Sequence, residues 1–375
     1  MMDKTLRMAA SSASGNKSTL KPGSRFDALD GIRGVAALAV MVYHYTQFSS
    51  LRMLAGAEAA VDLFFMLSGF VLMYSYGRKI ERGMRFREFL VARVQRLGPL
   101  FVIGLLLGLV AALIHIGRGA DDQVRLQPVL IALGLNLVVL PYINHHQWPF
   151  DGELIPGPIF PLNDPAWSLF FEMFVNLVFF VCLAELVRRK RVHSGLILIT
   201  AGSMLVFLAG LMHSQLFNAG WGVGTFKYGF PRVTAEFFLG CLIFLFHLRL
   251  PRAYPWLALA SLGLFLFFLA HPGDKTRYLC LFVVCPSLIL LASRVAVTGA
   301  LRQLCSRLGD LSYPLYVTHF PIYRLLHEVD AFREAPDAVQ LGIAAVLALT
   351  TATLLVSADR HIRSTWLMPA KVVPA

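Results

Sequence analysis

The sequence predicts an all-α polytopic membrane protein of about ten transmembrane helices, and three observations carry that prediction. Of 375 residues, 57% are hydrophobic and only 15% charged, with 29 Phe and a mean hydropathy of +0.64. That balance is far more apolar than a soluble domain's. Apolar runs of about 16 to 22 residues recur along the chain, near the ~20 that a helix needs to cross the hydrocarbon core. The Lys and Arg behind the net charge of +12 sit in short clusters between those runs, as loops retained on the cytoplasmic side do. Membrane lipid is therefore an expected partner and nucleic acid is not.

The elements follow in order. Residues 1–28 read as a polar cytoplasmic tail with Lys4, Arg7, Lys17, Lys21 and Arg25, and without the apolar core of a cleavable signal. Runs 31–50 and 59–76 form an in-out-in hairpin closed by the basic "GRKIERGMRFRE". Between 97 and 187 both flanks read as cytoplasmic, yet three apolar segments occur: 97–116, 129–142 and 167–187. The middle one is shortest, contains Asn136 and ends at Pro141, so it is expected to be re-entrant or interfacial. Loop 117–166, with "NHHQWPFDGELIPGPIFPLNDPAW", then faces the non-cytoplasmic side. "RRKR" (188–191), "HLRLPR" (247–252), "LRQLCSR" (301–307) and the C-terminal "DRHIR" are separated by pairs of apolar runs and share one side. One transmembrane domain, 29–360, is expected, with cytoplasmic residues 361–375 after it.

Polar residues inside apolar runs are the candidates for chemistry, because they are costly in a membrane and mark pathways or sites. Arg33 and His44 lie eleven positions apart in one run, hence on nearly the same helix face and roughly 16 Å apart along it. An imidazole there suits proton transfer, and Asp62 in the next run is a candidate to orient it. Arg93 and Arg96, three apart at the inner boundary, suit phosphate binding or simply anchor the topology. Ser168, Glu172 and Asn176 recur every four residues beside Trp167, and Ser312, Tyr316 and His319 form a second stripe; each reads as a site wall or as a helix-helix network. Arg232 and Glu236 read as a structural ion pair. His145, His146, Asp151 and Glu153 lack a recognised metal-ligand spacing, so no metal is expected, while Trp148 and Phe150 beside them suit a sugar-facing surface. Cys182, Cys241, Cys280, Cys285 and Cys305 read as inert thiols. No phosphate-cradling GxxxxGK[ST] loop and no GxSxG elbow is present.

"LDGIRGVAALAVMVYH", "VDLFFMLSGFVL", "RVQRLGP", "WSLFFEMF" and "LGDLSYPLYVTHFP" occur in that order. Together they closely resemble the integral-membrane acyltransferase family three, whose members O-acylate cell-surface and exported sugars. The resemblance runs from about residue 26 to 357 and implies ten helices, cytoplasmic acyl-CoA (usually acetyl-CoA) as donor substrate, no resident cofactor and a bacterial inner membrane. It implies a carbohydrate or glycolipid acceptor, such as an exopolysaccharide or lipopolysaccharide. It makes Arg33 and His44 the catalytic pair and favours Glu172 as part of the active-site wall; His44 would act as general base or as an acyl carrier, with Asp62, by its place in the adjacent run, as the candidate to orient it. Arg33, Arg93 and Arg96 would hold the CoA; Trp167, Ser168, Glu172, Tyr316 and His319 would line the acceptor site. A polytopic transporter using the same His44 is the alternative, although neither inverted repeats nor paired broken helices are evident.

Overall fold

Helices dominate because the chain must satisfy its own backbone in lipid. The computed structural model describes residues 26–119, 125–143, 157–214, 219–247 and 253–366. In chain order they form α1 (Asp27–Thr46), α2 (Glu58–Glu81), α3 (Phe86–Gly117), α4 (Leu126–Leu137), α5 (Trp167–Arg188), α6 (Val192–Ser214), α7 (Phe226–His247) and α8 (Pro255–Ala270). There follow α9 (Asp274–Ala292), which contains a π-helical turn at Cys280–Val284, then α10 (Gly299–His327), α11 (Asp330–Arg333) and α12 (Asp337–Trp366). Among the described residues no sheet forms; Pro158 and Gly222 make an isolated antiparallel bridge.

Seven described helices are long and apolar enough to cross a membrane: α2, α3, α5, α6, α7, α9 and α12, the last over Asp337–Asp359. The protein is thus an all-α polytopic membrane protein. Three more helices stand where charge parity expects crossings. α1 and α10 carry too many polar residues to count among the seven, and α8 is shorter at 16 residues. Leu198, Leu205 and Met212 on α6 are exposed, as a lipid-facing helix requires.

The segment expected at 129–142 is α4, shifted toward the N-terminus. Its 12 residues span only about 18 Å, too little to cross. Val139 has φ 60°, a left-handed conformation that ends the helix, and the buried Asn136 amide donates to the Leu140 carbonyl at 3.0 Å. Tyr142 N–H then bonds the Ile159 carbonyl, which ties this excursion back to the segment leading into α5.

At the centre α1, α2 and α10 pack together, with α7 against α2 and α3 and α12 against α10. Small residues allow α1 and α10 to approach closely. A Cβ on Gly34 would stand 2.6 Å from the Leu308 carbonyl oxygen, and one on Gly309 would stand 2.6 Å from the Asp30 Cβ. α10 also carries Pro314 and Pro321 in its interior. Pro321 has no N–H for the Val317 carbonyl, and the Asn163 amide donates to that carbonyl instead, at 2.8 Å. This bond holds the 3-10 turn Asp164–Ala166, from which α5 starts.

Overpacking the α1–α10 contact should loosen it. Gly34→Ala should lower stability by about 1–3 kcal/mol, read as a lower midpoint of thermal unfolding in detergent. An unchanged midpoint would show that the helices have room to separate.

Candidate active site

Arg33 and His44 leave α1 on the side facing α10, and α10 answers each. Arg33 Nε donates to the Ser312 hydroxyl at 2.9 Å and Nη2 to the Gly309 carbonyl at 3.0 Å, while Asp30 pairs with the same guanidinium at 3.0 Å. His44 Nδ1 lies 3.0 Å from His319 Nε2, and His319 Nδ1 lies 2.9 Å from the Leu315 carbonyl. A carbonyl only accepts, so His319 Nδ1 carries a hydrogen and, in the neutral ring, Nε2 accepts. His44 Nδ1 must then be the donor. The hydrogen-bond pattern thus assigns the tautomer of both rings and leaves the lone pair on His44 Nε2. His44 lines a pocket of about 120 Å³ with Tyr43, Glu58, Asp164, Trp167 and Trp221; His319 is fully buried behind it.

A larger cavity of about 450 Å³ opens toward the end of the bundle where α1 begins. Its polar lining includes Arg33, Ser68, Arg93, Arg96 and Glu172. Arg93, only 3% exposed, donates to the Glu172 carboxylate at 2.9 Å, and the Ser68 hydroxyl donates to the same oxygen at 2.5 Å. Arg93 Nε and Nη1 are buried without a hydrogen-bond partner. Orphan donors on a buried cation are rare; Arg93 as a residue stands in the cavity wall, while these two nitrogens are closed off from it. Arg96 is exposed at the same cavity.

The two cavities share Val61 and Tyr316 in their walls. Both are buried, and the Tyr316 hydroxyl lies 2.8 Å from the Ser168 hydroxyl, with both near the Pro165 carbonyl. The larger cavity thus backs onto a smaller one lined by the fixed imidazole of His44.

Known families provide the decisive comparison: the acyltransferase family three model, described as "Acyltransferase domain", matches residues 26–358. The chain belongs to that family. It is a polytopic membrane chain that carries this acyltransferase domain. It is 44% identical over 168 residues to "Protein 2 in picA locus" of Rhizobium radiobacter, covering 42% of this chain and 82% of that one. Identity is 27% over 320 residues to the "Putative peptidoglycan O-acetyltransferase YrhL" of Bacillus subtilis, with 78% of this chain and 48% of that one covered. The "Peptidoglycan O-acetyltransferase OatA" of Listeria monocytogenes is 25% identical over 319 residues, with 79% and 49% covered. The chain spans about half the length of these two relatives. No solved structure matches it.

Three expectations for site residues need correction. Asp62 does not orient His44: its Oδ1 accepts from Nε of Arg232 at 2.8 Å and from Nη2 of the same guanidinium. Glu172 lines the larger cavity, bound to Arg93, and not the pocket of His44. His319 lines neither cavity and instead fixes His44. Trp167 does line the His44 pocket, Ser168 the larger cavity and Tyr316 both. Glu58, Asp164 and Trp221 at the pocket were not singled out from sequence, because nothing in their local spacing distinguishes them. The motif containing His145, His146, Trp148, Phe150, Asp151 and Glu153 lies outside the described residues.

Arg232 is the buried cation of a charge cluster. Besides Asp62 it reaches the Ala219 carbonyl at 2.8 Å and stands 3.6 Å from the fully buried Glu236. Arg232→Met would strand two buried carboxylates, so it should destabilise the protein by about 3–5 kcal/mol. Denaturant unfolding in detergent reads this, with the exposed Arg96→Met expected to leave the midpoint unchanged.

Proposed function

We propose that the protein moves an acyl group, acetyl in its simplest form, from cytoplasmic acyl-CoA to a hydroxyl of a carbohydrate or glycolipid acceptor. The observation behind this reading is the His44 Nε2 lone pair, held toward a pocket by the Leu315 carbonyl and His319. The names of the peptidoglycan O-acetyltransferase relatives support acetyl as the group and a glycan as the acceptor. Donor and acceptor are both substrates in this reading; no resident cofactor takes part.

His44 Nε2 removes the proton of the acceptor hydroxyl as the oxygen attacks the thioester carbonyl. Collapse of the tetrahedral intermediate breaks the C–S bond. The departing thiolate takes the proton from the imidazolium, leaving CoA as the thiol and the acceptor as an ester. Arg93 in the wall and Arg96 at the mouth would hold the phosphates or carbonyls of the CoA arm. Trp167 and Trp221 offer faces on which a sugar packs, and Glu58 and Asp164 offer acceptors for its hydroxyls. The basic clusters support ten crossings with both termini in the cytoplasm of a bacterial inner membrane, the larger cavity opening inward and the pocket of His44 outward. The acyl group, not the sugar, then makes most of the crossing, which costs far less than burying many hydroxyls.

His44→Ala should insert normally and lose transfer, measured as acetylated acceptor by mass spectrometry with labelled acetyl-CoA; retained turnover would remove His44 from the chemistry. His319→Phe should lower kcat about 10²- to 10⁴-fold, the usual worth of a positioned base, while donor KM stays within a few-fold. A change confined to KM would return His319 to a packing role. In sealed proteoliposomes with acetyl-CoA on the cytoplasmic side only, product should form on an impermeant oligosaccharide outside.

A further inference from the structure

If the donor sits in the larger cavity and His44 serves the smaller, the acyl group must reach His44 through the place where the two meet. That place has two walls. Val61, in the first turn of α2, and Tyr316 of α10 are the residues common to both linings. Val61 is 7% exposed and Tyr316 6%. The Tyr316 ring is braced edge-to-face by Phe64, with centroids 5.5 Å apart, and lies 6.0 Å from the His319 ring.

The hydroxyl of Tyr316 is bolted. It lies 2.8 Å from Ser168 Oγ and 3.2 Å from the Pro165 carbonyl, and Ser168 Oγ lies 2.9 Å from that carbonyl. Two hydroxyl protons are available. A chain in which Tyr316 donates to Ser168 and Ser168 donates to Pro165 uses both. No proton is then left for a developing oxyanion, so Tyr316 acts at this place by its volume and its fixed position. Pro165 belongs to the turn held by Asn163 on the Val317 carbonyl, so the bolt is tied to the backbone of α10 as well as α5.

We propose that Val61 and Tyr316 form a neck that selects the acyl group by length, admitting a short acyl chain and excluding longer ones. The neck is flanked on the donor side by Phe64, Phe65 and Leu169, which suit an alkyl chain but lie before the constriction. A longer chain in a rigid neck must either clash or hold its carbonyl short of His44. The first outcome lowers affinity and the second lowers turnover; one methylene in an apolar pocket changes discrimination by roughly 10- to 200-fold.

The inference rests on the donor reading above, and the experiment separates the two. Non-transferable CoA analogues, with methylene in place of the thioester sulfur and acyl groups of two, four and six carbons, are titrated calorimetrically into the detergent-purified full chain. The wild type should lose about 10-fold or more in affinity between two and four carbons. Val61→Ala, and from the opposite wall Tyr316→Leu, should recover at least about 10-fold of that loss while still binding the two-carbon analogue. Equal wild-type affinity for all three lengths, together with equal turnover of the corresponding two-, four- and six-carbon acyl-CoAs, overturns the neck and leaves the donor reading standing, and this arm is decisive even where a variant fails to fold. Unchanged length discrimination in two folded variants also overturns it. Failure of the wild type to bind any of the three overturns the donor reading and the neck with it.

Discussion

Everything at the centre of this protein depends on how closely α1 approaches α10. Arg33 and His44 are too polar for a helix that faces lipid, so each must meet a partner within the bundle. α10 supplies them at matching heights: Ser312 and the Gly309 carbonyl for Arg33, His319 for His44. Those bonds form only because Gly34 and Gly309 leave no Cβ between the backbones. The polar groups then carry their cost as a zipper that fixes the register of two helices. A slip of one turn would break both ends of it together.

Much of this was legible in the sequence, and what was not has a physical reason. Periodicity puts Arg33 with His44 on one face and Ser312, Tyr316 and His319 on another, because 3.6 residues per turn is a local rule. That these two faces meet is a fact of tertiary packing, and no local rule contains it. Asp62 illustrates the same limit: nearness in sequence suggested His44, whereas its partner Arg232 lies 170 residues away. Arg93 and Glu172 were each assigned a ligand to bind, but they found each other across α3 and α5. The short helix α4 was legible as a non-crossing element because length alone decides that question. Seven helices pass by apolarity, while α1 and α10, the pair that bears Arg33, His44 and His319, do not. Polarity hides a membrane helix from hydropathy at just those places where it marks a site.

Buried charge elsewhere in the bundle is arranged as scaffolding for the two cavities. Arg232 with Asp62 and Glu236 sits where α2 and α7 pack, and Arg93 with Glu172 joins α3 to α5. Such pairs add little net stability over apolar packing, yet breaking one by removing a single partner is costly. They therefore favour one arrangement of the helices strongly over its neighbours. Arg93 differs from Arg232 in standing in the wall of a cavity, so it is both a strut and part of that cavity's lining.

The histidine pair shows why a carbonyl can replace the carboxylate of a hydrolase triad. In those enzymes a buried aspartate fixes the imidazole tautomer and stabilises the imidazolium. Here a neutral chain does the fixing: the Leu315 carbonyl holds His319, and His319 holds His44. No charge has to be buried beside the His44 ring, which spares the desolvation cost of an ion in a low-dielectric interior. The neutral chain stabilises a transient imidazolium less than a carboxylate would. The proposed thioester donor would require less help, because thiolate is a good leaving group and needs no proton before the C–S bond breaks. For that reaction a base held in a fixed orientation would be sufficient, and the membrane setting makes the uncharged relay the less costly way to hold it.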